Sequence, residues 1–134
     1  MGANAANFKM ALLTSAYTPD NSDTGNEVYG DLSANEITAG NGYTAGGIAL
    51  TGVTITQTGG TVKFTSNAAT WTATGGSIAA WRRGMVYYIG TLNGKVNPLV
   101  GHFLGDTTPA DIPATTVGNT LTVTPSASGI LTAT

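Results

Sequence analysis

The chain of 134 residues has no cysteine and so no thiol nucleophile, and His102 is its only possible imidazole base, beside seven carboxylates. A Ser–His–Asp relay needs the imidazole to take the hydroxyl proton while a carboxylate orients it. No serine stands in a Gly-x-Ser-x-Gly elbow, and His102 lies between Gly101 and Phe103 in an apolar run. His102 is therefore expected on a strand, as a hydrogen-bonded or exposed ring. Glycoside hydrolysis needs two carboxylates facing one bond. Here the carboxylates stand mostly in turn-like stretches, four of them between Pro19 and Ser33, where solvation accounts for them. The expectation is a protein with no catalytic residue and no enzymatic activity.

Other candidate sites fare similarly. Asp20-Asn21-Ser22-Asp23-Thr24-Gly25, followed by Asp31, echoes a calcium loop with glycine at position six and a carboxylate at position twelve. Ser22 and Thr24 replace the usual ligands and Asp31 replaces a bidentate glutamate, so a solvated acidic loop with no metal is expected. Gly40-Asn41-Gly42-Tyr43-Thr44-Ala45-Gly46-Gly47 lacks both the dinucleotide spacing and the Gly-Lys-Ser/Thr of a phosphate loop. It reads as a tight turn that Tyr43 pins into one end of the fold, and no cofactor is expected. Arg82-Arg83 is the one basic pair, suited to an aromatic face or a carboxylate. Trp71 and Trp81 could form a sugar platform if exposed, but burial in a core or interface is expected for rings of this size.

The elements that would carry these residues are strands. Thr120 to Thr124 and Thr61 to Thr65 alternate polar and apolar residues, as strands with one buried face do. From Ile48 to Thr56 the apolar parity shifts at Gly52, which predicts a β-bulge there. Met85 to Ile89 is apolar on both parities, as in a central strand covered on both sides, and Leu99 to Leu104 reads the same way. Phe8 to Leu12 and Ile130 to Ala133 are the first and last strands. Gly59-Gly60 and Asn93-Gly94 carry hairpin chemistry, and Gly75-Gly76 and Ser128-Gly129 further turns. Pro19 to Ser33 and Asp106 to Ala114 read as loops, the second a bridge between strands over the surface in the manner of a Greek key. About seven or eight strands in one domain over residues 1–134 describe an all-β fold, an antiparallel β-sandwich or jelly roll.

Composition narrows the function classes. Five basic and seven acidic residues, 9% of the chain, compare with roughly 25% charged residues in an average soluble protein. Clustered Lys and Arg are missing, so nucleic-acid binding is not expected. The apolar fraction of 41% supplies a packed core, so low charge does not mean disorder. The start, Met1-Gly2-Ala3-Asn4, does not read as a secretory signal, and Ile37 to Val62, free of charge, carries too many Thr, Gly and Asn residues to be expected to cross a bilayer. Synthesis in the cytoplasm and no membrane partner are expected. The 24 threonines and 19 glycines leave a neutral surface.

The segment Glu36-Ile37-Thr38-Ala39-Gly40-Asn41-Gly42-Tyr43-Thr44-Ala45-Gly46-Gly47 with Leu50-Thr51-Gly52-Val53 resembles a family of small structural proteins of tailed bacteriophages. Phe8 to Ser15, Trp71-Thr72-Ala73 with Ile78-Ala79-Ala80, Tyr87-Tyr88-Ile89, Leu121 to Pro125 and Ser128 to Leu131 match the same pattern in the same order. The chain departs from it at Arg82 to Val86, where one arginine is expected, and in the stretch Pro19 to Ser33. The resemblance implies a virion component, foremost a capsid cement or decoration protein on the outer surface of the head. Its partners would be the major capsid protein and further copies of itself, as a homodimer or homotrimer. A head-fibre or tail-associated module recognising host glycans is the second function class it allows. No catalytic residues come with it.

Overall fold

The computed structural model describes residues 7–20, 28–106, 108 and 110–133. Its strands are β1 (Phe8–Leu13), β2 (Ile48–Ala49), β3 (Thr54–Thr58), β4 (Thr61–Thr65), β5 (Ala69–Thr72) and β6 (Arg83–Tyr88). They continue with β7 (Thr91–Leu92), β8 (Lys95–Val96), β9 (Leu99–Leu104), β10 (Thr120–Val123) and β11 (Leu131–Ala133). All pairings are antiparallel. A four-stranded sheet runs β2-β1-β6-β9, a three-stranded sheet β11-β4-β3, and β10-β5 and β7-β8 form two-stranded pairs. Among the described residues the protein is thus an antiparallel, mostly β structure of eleven strands with one short α-helix, α1 (Tyr29–Leu32). The strands outnumber the seven or eight expected because β2, β7 and β8 are two-residue strands.

The apolar runs of β1 and β6 follow from their place in the middle of the four-stranded sheet. Phe8, Met10, Leu12 and Val86 point to one face and join Phe64 of β4 and Ala69 and Trp71 of β5 in the main core. Ala11, Leu13, Met85 and Tyr87 point to the other face and pack with Tyr17 and Leu32. Burial on both sides removes any need for alternation, so both parities are apolar. Leu32, fully buried, is what α1 contributes.

The two hairpins form as their turn residues dictate. Gly59 and Gly60 (φ +57° and +86°) join β3 to β4, and Asn93 and Gly94 (φ +50° and +77°) join β7 to β8. Positive φ at both central residues matches the strand twist. Three local expectations fail. Gly52 is no bulge: the chain breaks there, with β2 in one sheet and β3 in another. The parity shift records a change of partner sheet, with Asn67 donating its N–H to Thr51 O across the break. Leu99 to Leu104 is an edge strand, half-buried to exposed, rather than one covered on both faces, because β6 alone pairs with it. The stretch read as a loop from Pro19 to Ser33 contains α1, whose first turn is capped by Asp31 Oδ2 accepting the Val28 N–H at 3.1 Å; residues 21–27 lie outside the described ones.

Between β9 and β10 the chain is pinned as well as bridging. Trp81 and Ile112 exchange both backbone hydrogen bonds, as do Ile78 and Thr115.

Candidate functional site

The glycine-rich turn holds the densest polar constellation among the described residues, and Glu36 is at its centre. Glu36 Oε1 accepts from Tyr43 Oη at 2.6 Å and from the Gly46 N–H at 2.8 Å. Its Oε2 accepts from Tyr29 Oη at 2.7 Å. Tyr43 Oη in turn accepts the Leu12 N–H of β1 at 2.9 Å, and Tyr87 Oη of β6 donates to Gly46 O at 2.6 Å. Tyr29 and Tyr87 stack with ring centroids 4.7 Å apart. One carboxylate therefore ties together α1, the turn, and the two central strands.

The backbone supports this arrangement by close approach. Gly47 (φ +75°) lies so near β1 that a Cβ would fall 1.8 Å from Met10 O. Gly42 (φ +97°) is equally tight against β5, with a Cβ position 1.9 Å from Thr72 O. Only glycine fits at either place. Tyr43 pins the turn, as the sequence suggests; its ring lies 6.1 Å from that of Trp71.

Electrostatically the cluster holds its groups together as a lock. Burial raises the Tyr43 and Tyr29 phenols well above their ordinary range, and the Glu36 carboxylate beside them raises them further. Tyr87 is pushed up to about 12, again by burial first and by Glu36 second. At neutral pH all three phenols keep their protons and donate or accept hydrogen bonds as neutral groups. Three donors on one carboxylate occupy both of its oxygens with structural hydrogen bonds.

The other candidates do not assemble. His102 is exposed on β9, edge-on to Tyr17 at 5.9 Å. Partial desolvation of the ring, first, and the Arg83 charge, second, hold its pKa below the usual value. Arg82 Nε bonds Asp111 Oδ1 at 2.8 Å, the carboxylate contact open to it from sequence. Arg83 sits on β6 with its Nε buried and unpartnered among the described residues. Asp31 is engaged at the start of α1, and among the described residues no three His, Asp or Glu side chains gather as a metal site would require. Trp71 and Trp81 are both buried, each 4% exposed.

Glu36 is the residue that sequence reasoning misses. Its carboxylate is half-buried and accepts three hydrogen bonds, whereas the turn-like setting of most acidic residues predicts solvation. The one available signal is its position as the last charge before the neutral stretch Ile37 to Val62.

A second region contrasts with this one. Every residue of β3 is exposed, Ile55 by 51%, and Val62 on β4 by 40%. On the β7-β8 hairpin, Val96 is 60% exposed and Leu92 and the neighbouring Ile89 are also open. These apolar side chains lie where folding gives them no cover. The chain matches no protein-family model, no curated protein and no solved structure.

Proposed function

We propose that this chain is a non-enzymatic virion structural protein, a capsid cement or decoration protein that binds the outer surface of a phage head and links neighbouring major capsid subunits. The observation that carries the reading is apolar exposure at both hairpins on a chain with 9% charged residues. A surface destined for contact with several subunits avoids charge, because a buried unpaired charge is expensive to desolvate. Threonine and asparagine supply neutral hydrogen bonds instead. Repetition over a lattice turns modest contacts into avidity. The net charge of −2 suits the outside of a shell better than its DNA-facing interior. The phage resemblance of the segments around Glu36 to Gly47 supports the same reading. We further infer a sandwich of the jelly-roll kind, since one core cluster draws Phe8 and Val86, Phe64, and Trp71 from three different sheets.

The glycan-binding alternative loses its natural platform, since both tryptophans are buried. Cryo-EM of purified virions from the phage carrying this sequence is the test. Density for the fold at two- or three-fold positions of the mature head is expected. Virions freed of loose protein that contain none of the chain overturn the proposal.

A further inference from the structure

The free side of β3 has a property that mere exposure does not confer. Among the described residues β3 has one strand neighbour, β4, with Thr58 opposite Thr61, Thr56 opposite Lys63 and Thr54 opposite Thr65. In a two-residue hairpin the pair flanking the turn is hydrogen-bonded, and bonded and non-bonded pairs then alternate. Thr58, Thr56 and Thr54 thus bond inward to β4. Ile55 and Gln57 direct their N–H and C=O groups to the open edge.

Natural edges are usually blunted by lysine, proline, a bulge or shortness. β9 has a register shift opposite Val86 and Tyr87, and β2, β7 and β8 have two residues each. β3, Thr54-Ile55-Thr56-Gln57-Thr58, has five residues and no charge, proline or glycine. Its pattern is also self-complementary. Laid antiparallel on a second copy about a two-fold axis through Thr56, Ile55 faces Gln57 of the other strand. Each such pair exchanges two backbone hydrogen bonds, and the symmetry supplies the pair twice. Ile55 and its counterpart then lie diagonally on one face, within reach of each other. With no charge on the strand, nothing in it repels its own copy.

We propose that the β3 edge is a self-association surface, on which a second copy of this chain adds its own β3 antiparallel and in register about Thr56. A pair of five-residue strands buries less than the 1,200 Å² or so typical of stable interfaces, so the isolated dimer is weak and concentration-dependent. The pairing is isologous and closes at two copies. It stands independently of the capsid reading, since it concerns the chain alone in solution.

The lack of cysteine makes a direct test possible. Thr56→Cys places two thiols at a non-hydrogen-bonded antiparallel pair, where Cα atoms are about 4.5 Å apart and a disulfide fits. Thr54→Cys, on the same strand, places them about 14 Å apart in that register. Under mild oxidation the Thr56→Cys chain is expected to cross-link at least ~10-fold faster than the Thr54→Cys chain. Sedimentation velocity on the unmodified chain should show mass rising with concentration towards a dimer. Gln57→Pro, which removes an outward N–H but no bond to β4, should abolish that rise. Ile55→Lys, which sets like charges across the axis, should do the same and decides the matter if Gln57→Pro alters the near-ultraviolet circular dichroism. Equal cross-linking at the two positions, a chain monomeric up to ~1 mM, or association that ends at a trimer overturns the proposal.

Discussion

The Glu36 cluster and the β3-β4 hairpin are both built from neutral polar side chains around glycine turns, yet they end in opposite states. At Glu36 three donors meet one carboxylate and two glycines let backbones close to contact distance. At β3 the strand keeps one side open and holds Ile55 in solvent. The difference teaches where this chain spends its specificity. Polar groups are satisfied internally where the two central strands must be held in register, and stay open along the β3 edge.

The largest effects belong to the closed region. Gly47→Ala drives a Cβ into the Met10 carbonyl, and backbone on both sides has nowhere to yield. A cost above about 4 kcal/mol is expected, enough to abolish folding of a marginally stable domain. Gly59→Ala at the open hairpin meets nothing within 4 Å and keeps only the strain of φ +57°, about 1–2 kcal/mol. Urea unfolding of the two variants measures the contrast, and equal destabilisation would break it.

Next in size is the hydroxyl of Tyr43. Tyr43→Phe takes one donor from Glu36 and leaves the buried Leu12 N–H without its acceptor. The expected loss is about 1–3 kcal/mol, because a buried orphan donor carries its full desolvation penalty. Alkaline pH probes the same cluster. The folded state holds these phenols above their ordinary value of about 10, Tyr87 at about 12, so the unfolded chain sheds protons first. Stability is therefore complete below pH 10 and falls as pH rises towards 12 and beyond. Tyrosinate absorbance that tracks the loss of β circular dichroism is the expected observation. Titration of all five tyrosines near pH 10 with the fold intact would contradict it.

How much of this could be read in the sequence also divides along the comparison. The β3-β4 hairpin is wholly local: Thr58-Gly59-Gly60-Thr61 between two alternating runs carries its turn type and register. The double-sided apolar run of β6 likewise announces a central strand. The Leu99 to Leu104 run fails because sheet position depends on which strand arrives beside it, and β9 receives none on its outer side among the described residues. Gly52 fails for a related reason, since a parity shift looks the same whether a strand bulges or the chain changes sheets. The Glu36 site is the least legible. Its partners come from Leu12 to Tyr87, joined by the pairing of β1 with β6, and no spacing along the chain encodes that meeting. Tyr43 is legible because its glycine neighbourhood is a local signal.

The smallest expected effect is the sharpest for the open region. Ile55 is half exposed and belongs to no core cluster, so Ile55→Ser should change monomer stability by no more than about 0.5 kcal/mol. A urea midpoint within error of the parent chain, with an unchanged slope, is the expected result at low concentration. At high concentration the parent should gain stability from association by mass action, whereas the Ile55→Ser chain should not. A large stability loss in dilute solution would mean that Ile55 serves the fold of its own chain. The hairpin would then belong with the Glu36 cluster, as architecture, rather than opposite it.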